Sequence, residues 1–155
     1  MTLSAWRITK QKHAKSAFHG DGARIYGGRW NSPGIAMIYT AQSQSLGVLE
    51  MLVHLDSPEL LSKYVLFQVS IDPSHVRELD FASLPRNWKA DPAPASVRAI
   101  GDDWIAGGAS AVLRVPSTIV PGESNFLLNP RHQDFGNLRI GKALPFQFDP
   151  RLARR

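Results

Sequence analysis

The segment spanning residues 25–55, IYGGRWNSPGIAMIYTAQSQSLGVLEMLVHL, constrains the fold more than any other part of the chain. Its Gly-Gly pair and the following Ser32-Pro33-Gly34 sequence predict a sharp reversal, because proline fixes φ and glycine permits positive φ. The apolar run 35–40 then predicts a short buried strand that carries Tyr39 at its end. A turn, a strand and a helix therefore follow one another closely in this segment.

The helix after this strand should present two different faces. Large aliphatic residues recur at helical spacing and predict a core-facing side, which comprises Leu46, Leu49, Leu52, Val53 and Leu55. Ser43, Gly47, Glu50 and His54 fall on another stripe, where Gly47 would let a ligand approach the backbone beside Glu50. A carboxylate among aliphatic side chains should be partly desolvated, which costs stability unless a cation such as Arg29 or a ligand pairs with it.

The composition places the chain among single-domain proteins with a hydrophobic core. Its 155 residues are 43% hydrophobic, which suffices for one domain comprising residues 1–155. The chain has no cysteine, which excludes disulfides, thiolate catalysis and cysteine-rich zinc sites, and we expect no metal. Neither a signal peptide nor a long apolar run is visible, so a cytoplasmic protein without a membrane segment is predicted.

The charge balance favours an anionic ligand or an acidic partner. The formal net charge is +5 and the pI is about 9.9. Nucleic acid would be the first candidate for such a protein. However, lysine and arginine are scattered along the chain, and their one cluster is the tail with Arg151, Arg154 and Arg155. Direct binding of nucleic acid is therefore not favoured.

The remaining elements indicate an α+β fold. Alternation and β-branched residues predict further strands at residues 6–8, 64–71, 109–115 and 146–148. Residues 80–94 are rich in proline and aspartate and predict a loop, after which Pro94 should open a helix that ends at Gly107-Gly108. Strands and helices are mixed without regular βαβ alternation, which predicts a largely antiparallel, possibly split sheet with flanking helices.

Several sequence blocks, taken in order, resemble the RES domain. The blocks are Tyr26–Gly34, Tyr39–Ala41, Leu49–Leu55, Val115–Ser117 and Asn125–Pro130 with Asp134–Phe135. They lie between about residue 6 and residue 148, so the resemblance covers nearly the whole chain. Each block alone is a weak signal, but their order and spacing make the resemblance specific.

The resemblance implies a bacterial toxin that consumes NAD. RES domains are the toxin halves of RES-Xre toxin-antitoxin pairs, and their fold is similar to that of ADP-ribosyltransferase toxins, with a split β-sheet around an NAD cleft. Members hydrolyse or phosphorolyse NAD or transfer ADP-ribose to a protein. The implied partner is an Xre-type helix-turn-helix antitoxin, through which any contact with nucleic acid would be made.

The motifs of the family fall on four positions of this chain. They are Arg29 in GGRWN, Glu50 in VLEMLVHL, Ser117 in VPS and Tyr39 in YTA. The chemistry suits them, because cleavage of the nicotinamide-ribose bond needs a carboxylate near an oxocarbenium-like centre and a guanidinium binds pyrophosphate bidentately. The Tyr39 ring could face nicotinamide, and the Ser117 hydroxyl could orient Glu50 or the ribose.

Two further residues and two alternative functions stay open at this stage. His54 and Asn125 are additional candidates for NAD binding, although either could be an ordinary surface or turn residue. A small basic endoribonuclease would instead combine His13 or His19 with Glu50 and Arg29. A non-catalytic module could hold a nucleotide through Arg29 alone. The acceptor of ADP-ribose (water, phosphate or a protein side chain) is encoded by no local motif.

Overall fold

The computed structural model describes residues 1–154 and shows an α+β fold around one eight-stranded sheet. The strands are β1 (Leu3–Lys10), β2 (Ile38–Ala41), β3 (Tyr64–Ile71), β4 (Val76–Glu78), β5 (Val112–Pro116), β6 (Ser124–Leu128), β7 (Arg139–Ile140) and β8 (Leu144–Phe146). The α-helices are α1 (Asp21–Tyr26), α2 (Gln44–Leu52) and α3 (Ala95–Gly107). Short 3-10 helices span Gln11–Ser16, Ser57–Leu61, Pro73–His75, Phe81–Ser83, Phe135–Asn137 and Pro150–Arg154.

The sheet is mostly antiparallel, as the sequence predicts. Its strand order is β4-β5-β6-β2-β1-β3-β7, and β8 also pairs with β3. The β4–β5 pair is parallel, whereas the other strand pairs are antiparallel. The predicted strand at residues 64–71 is confirmed as β3, and it pairs along its whole length with β1. The α+β fold class is therefore confirmed.

Alternating residues of the central strands face two different apolar clusters. Phe126 and Leu128 of β6 pack with Ile38 of β2, whereas Leu127 between them packs with Val97 of α3. Successive side chains of a strand point to opposite faces, so this strand is buried on both. Helix α3 therefore covers one face of the β5–β6 region. Within residues 1–154, no helix combines the length and apolar character that crossing a lipid bilayer requires.

Helix α2 packs only in part as predicted. Leu46 is buried and Leu52 and Leu55 pack against the core as expected. Leu49, however, is 38% exposed and Val53 is 58% exposed. The side of the helix that meets the sheet carries Leu46 and Gly47, and a Cβ added to Gly47 would lie 3.6 Å from Ile8 Cδ1. A Cβ at position 47 would therefore make only ordinary van der Waals contact with the sheet, so packing does not require glycine there.

The chain before the first turn contains short helical segments, and the strand after the turn is shorter than predicted. His13 lies in the 3-10 helix Gln11–Ser16, and His19 lies in the short connection between this helix and α1. Helix α1 has six residues, too few to show helical periodicity in the sequence. Strand β2 begins at Ile38 rather than residue 35, because the Ile35 carbonyl accepts a hydrogen bond from the Asn31 side chain instead of a strand partner.

Helix α3 confirms its predicted limits and approaches the first turn closely. Pro94 is its N-cap residue, and Gly108 caps its C-terminus with a φ of 62°, in the left-handed region where glycine is favoured. In the middle of the helix, a Cβ added to Gly101 would lie 1.7 Å from the Trp30 carbonyl oxygen. Only glycine lets the helix backbone come this near to the turn.

We expect Gly101→Ala to destabilise the fold by roughly 1–3 kcal/mol or more, because the added methyl group must push α3 away from Trp30. Gly107→Ala in the same helix is the matched control, since a Cβ there meets no atom within 4 Å. Thermal unfolding of both variants checks this prediction. Equal stability of the two variants would contradict the close approach of α3 to the turn.

Candidate active site

A large cavity lies beside the turn and is bordered by helix α2 and the start of helix α3. Its volume is about 1500 Å³, and its walls come from β1, β2, α1, α2, the turn at residues 27–33, the loop at residues 89–93 and the start of α3. Five of the six predicted site residues line it, namely Arg29, Tyr39, Glu50, His54 and Asn125. The structure thus brings residues from distant parts of the sequence to one place, while their roles stay predictions.

Arg29 lies at the tip of a tight turn. The Gly28 backbone N–H donates to the Asn31 carbonyl at 3.0 Å, which leaves Arg29 and Trp30 as the two residues of the tip. Trp30 is buried, whereas the Arg29 side chain extends towards the loop that precedes α3. Its Nη1 donates to the carbonyls of Trp88 at 3.1 Å and Ala90 at 2.9 Å. The guanidinium is therefore held by backbone carbonyls.

Tyr39 and Asn31 fix this turn from inside. The Tyr39 hydroxyl donates to Asn31 Oδ1 at 2.6 Å and accepts from the Trp30 N–H at 3.0 Å. Burial raises the pKa of Tyr39, so the phenol stays protonated and can make both bonds. The Asn31 amide nitrogen in turn donates to the carbonyls of Ala23 and Ile35. These bonds connect β2, the turn and α1.

Glu50 is a carboxyl group of the cavity whose surroundings favour the protonated form more than water does. Burial raises the pKa of Glu50 above its ordinary value, while a hydrogen bond with Asn125 and the nearby His54 and Arg29 partly offset that rise. Asn125 also donates to the Thr40 carbonyl at 3.2 Å, which fixes its amide beside Glu50. Glu50 thus has an oriented partner and an incompletely balanced environment.

Arg7 is a cavity residue that the sequence interpretation missed. It lies on β1, where its Nε donates to the Ala17 carbonyl at 2.7 Å and its Nη1 donates to the Tyr39 carbonyl at 3.0 Å. Burial lowers the pKa of Arg7 to about 10, and none of the salt bridges among residues 1–154 involves it. The one available signal was a charged residue between Trp6 and Ile8 in a short alternating strand.

Ser117 lies behind the cavity wall rather than on its surface. It is 2% exposed, and its Oγ accepts hydrogen bonds from the N–H groups of Ile119 and Val120, each at 3.0 Å. Its neighbours Pro116 and Thr118 line the cavity, but Ser117 does not. The serine hydroxyl therefore holds the backbone that shapes this wall, and it does not contact Glu50 in this arrangement.

The histidines of the ribonuclease alternative lie outside the cavity. His13 is exposed in the 3-10 helix Gln11–Ser16, and His19 is exposed with its Nδ1 3.9 Å from Asp21 Oδ2. Neither residue lines the cavity that contains Glu50 and Arg29. A general base needs to reach the proton that it removes, so the geometry gives the ribonuclease interpretation no support.

The fold and the cavity define an α+β domain in which the Glu50 carboxyl group and arginines, among them Arg7 and Arg29, line one site. Comparison with known proteins places this domain in a family. The family model described as RES domain matches residues 4–149. Toxin Res of Yersinia enterocolitica is 47% identical over 151 residues, which cover 97% of this chain and 99% of that protein. The chain therefore belongs to the RES domain family, and the resemblance seen in its motifs is confirmed.

Two other relatives show how widely the fold is shared. The Prs ADP-ribosylating toxin of a Sphingobium species is 37% identical over an alignment of 160 positions that covers 100% of this chain and 99% of the relative. The toxin-antitoxin complex MbcT-MbcA of M. tuberculosis contains a chain of the same fold, with a TM-score of 0.74 at 19% identity. That match covers 99% of this chain and 88% of the other.

We expect Tyr39→Phe to lower the free energy of unfolding by roughly 1–3 kcal/mol, because it leaves Asn31 Oδ1 and the Trp30 N–H without their shared hydroxyl partner. Tyr26→Phe is the matched control, since the Tyr26 side chain is 83% exposed. Chemical denaturation of both variants measures the difference. A Tyr39→Phe protein as stable as the control would show that the turn does not depend on this hydroxyl.

Proposed function

We propose that this chain is the toxin of a toxin-antitoxin pair and that it cleaves the nicotinamide-ribose bond of NAD. The observation that carries the proposal is the desolvated Glu50 carboxylate in one cavity with Arg7 and Arg29. NAD carries an anionic pyrophosphate and develops positive charge at the ribose when nicotinamide leaves. The cavity offers groups of the opposite sign for both parts of this substrate.

Glu50 is the group that would act on the sugar. As the glycosidic C–N bond breaks, nicotinamide takes the bonding electron pair and leaves as a neutral molecule, and the ribose carbon becomes oxocarbenium-like. A carboxylate stabilises this developing charge and can accept a hydrogen bond from the ribose 2′-hydroxyl. The acceptor oxygen then forms the new bond to the same carbon and releases its proton. No strong general acid is needed, so Glu50 can act on the ribose without a second carboxyl group as proton donor.

Arg29 and Arg7 would hold the pyrophosphate. Guanidinium groups bind phosphate oxygens bidentately, and each of these two is already oriented by backbone carbonyls. The recorded Arg29 hydrogen bonds both use Nη1, which leaves the rest of its donor edge for a ligand. The Tyr39 ring and His54 would complete the lining around the substrate, and Ser117 would maintain the turn from which Pro116 and Thr118 reach the cavity.

The partner in this proposal is an Xre-type antitoxin. One structural relative is part of a toxin-antitoxin complex, and the net charge of +5 suits an acidic partner surface. The Sphingobium relative is named as an ADP-ribosylating toxin, which makes a protein acceptor one of the candidates here. Nicotinamide release with and without phosphate, and with cell lysate, would distinguish water, phosphate and protein as acceptors.

We expect Glu50→Gln to lower nicotinamide release by about a hundredfold or more, because the lost charge acts mainly in the transition state. The fold should be retained. Glu78→Gln is the matched control, since Glu78 is exposed and pairs with Arg114 rather than lining the cavity. The purified chain, freed of any partner, is assayed for nicotinamide release from NAD. Unchanged release by Glu50→Gln would refute the assignment of Glu50.

The raised pKa of Glu50 predicts a specific dependence on pH. Nicotinamide release should fall as the pH drops through the folded-state pKa, at a higher pH than for a carboxyl with the ordinary value of 4.5. The stability of the fold should change with pH in the opposite direction to the rate of nicotinamide release. A raised folded-state pKa favours the folded state below pH 4.5, and this contribution is lost as the pH rises through the folded-state value.

Glu50→Gln should consequently be at least as stable as the wild-type chain at a pH above the folded-state pKa of Glu50, where the wild-type carboxyl group is ionised. Any advantage of the variant should disappear on acidification. Thermal unfolding at several pH values and a pH-rate profile test these two parts together. If Glu50→Gln is clearly less stable than the wild-type chain above this pKa, and its stability relative to wild type does not rise between acidic pH and that range, the desolvation of Glu50 is contradicted.

A further inference from the structure

Helix α3 contacts the Arg29 turn through a charged group that lies outside the cavity. Asp102 Oδ1 accepts a hydrogen bond from the Ser32 N–H at 2.8 Å, which connects positions 70 residues apart. A carboxylate acceptor makes this a charge-assisted bond, which is stronger than a bond between neutral groups. Asp102 is half-buried and does not line the cavity, so it does not contact a ligand there directly.

The contact lies beside the closest approach between helix and turn. Gly101 precedes Asp102, and its backbone packs against the Trp30 carbonyl so tightly that no Cβ fits. The Trp30 carbonyl and the Ser32 N–H belong to the residues just after Arg29. The position of α3 therefore sets the base of the turn.

The tip of the turn depends on the chain that leads into the same helix. Arg29 Nη1 donates to the carbonyls of Trp88 and Ala90, in the loop that ends at the α3 N-cap residue Pro94. Asp102 holds the base, and this loop holds the guanidinium. A shift of the base relative to α3 would pull Arg29 away from these carbonyls and change where its donors point.

We propose that Asp102 is a positioning residue for Arg29 and thereby for the phosphate groups of the substrate. This inference rests on the proposed function, in which Arg29 binds the pyrophosphate of NAD. Asp102 itself touches neither substrate nor reacting atoms. Its removal weakens substrate binding because Arg29 loses its fixed orientation, while Glu50 and its partner Asn125 stay in place.

The kinetic test compares substitutions of Asp102 with one of its exposed neighbour Asp103. Asp102→Ala should raise the KM for NAD roughly tenfold with kcat changed less than about threefold, which corresponds to one lost charge-assisted hydrogen bond. Asp102→Asn keeps an oxygen acceptor for the Ser32 N–H and should recover most of the affinity. The KM and kcat of Asp103→Ala should match those of the wild-type chain.

Asp102→Glu covers the case in which Asp102→Ala fails to fold. It keeps the charge but displaces the carboxylate by one methylene group, so KM should rise by at least about threefold. KM values within twofold of the wild-type KM for every variant that folds, including Asp102→Glu, would overturn the proposal.

A double-mutant cycle with Arg29→Ala separates positioning from a general loss of stability. If Asp102 acts through Arg29, Asp102→Ala should raise KM by less than about twofold in the Arg29→Ala background. A purely structural contribution would raise KM by the same factor in both backgrounds, and this result would also overturn the proposal.

Hydrogen exchange provides a measurement that does not depend on NAD. The Ser32 amide and the neighbouring turn amides should exchange roughly tenfold faster in Asp102→Ala than in Asp103→Ala. Absence of nicotinamide release by every protein, wild type included, would refute the proposed function, and the exchange rates would still decide whether Asp102 fixes the turn. Equal exchange in the two variants would overturn the inference about Asp102 itself.

Discussion

The arrangement of the site depends first on the hydroxyl group of Tyr39. It donates to Asn31 Oδ1 at 2.6 Å and accepts from the Trp30 N–H at 3.0 Å. One oxygen atom therefore holds two successive residues of the turn. The space around it is filled, since a Cβ at Gly28 would lie 2.5 Å from this oxygen. Arg29 therefore extends from a turn with little freedom to rearrange.

The charges of the cavity are less well balanced than its hydrogen bonds. Arg7 has carbonyl partners and belongs to none of the salt bridges of residues 1–154, while burial shifts the pKa of Glu50 towards the neutral form. Desolvated charges without a full counter-charge reduce the stability of a fold. Such a cost is typical of a site whose ligand supplies the missing charges.

Elements with a strong local signal could be predicted from the sequence. Strand β3 alternates and contains β-branched residues, and α3 is delimited by Pro94 and Gly108, so both agree with their predictions. The core-facing side of helix α2 was predicted only in part, because Leu46, Leu52 and Leu55 pack as expected while Leu49 and Val53 face solvent. Periodicity identifies a helix, but the neighbours that cover it are decided by the tertiary fold.

Site residues whose partners are distant in sequence could not be predicted in this way. Arg7 is oriented by the Tyr39 carbonyl at a separation of 32 residues, and Asp102 contacts Ser32 at a separation of 70. No local pattern encodes either pair. The motif residues Arg29, Tyr39 and Glu50 could be named because they lie within one segment and match family motifs, whereas their geometry required the sheet that brings β1, β2 and β6 together.

The positions of Ser117 and Asn125 show what a motif leaves undecided. Both lie where β5 and β6 pair, with Val115 opposite Asn125 and Pro116 opposite Ser124. The Ser117 hydroxyl accepts from the backbone of its own turn, whereas the Asn125 amide hydrogen-bonds with Glu50 and with the Thr40 carbonyl. In this structure the hydrogen bond to the Glu50 carboxyl group comes from the asparagine, although a serine hydroxyl could make such a bond equally well. Asn125 is near Glu50 because β6, which contains Asn125, pairs directly with β2. The last residue of β2 lies opposite Asn125, and helix α2, which carries Glu50, begins shortly after it.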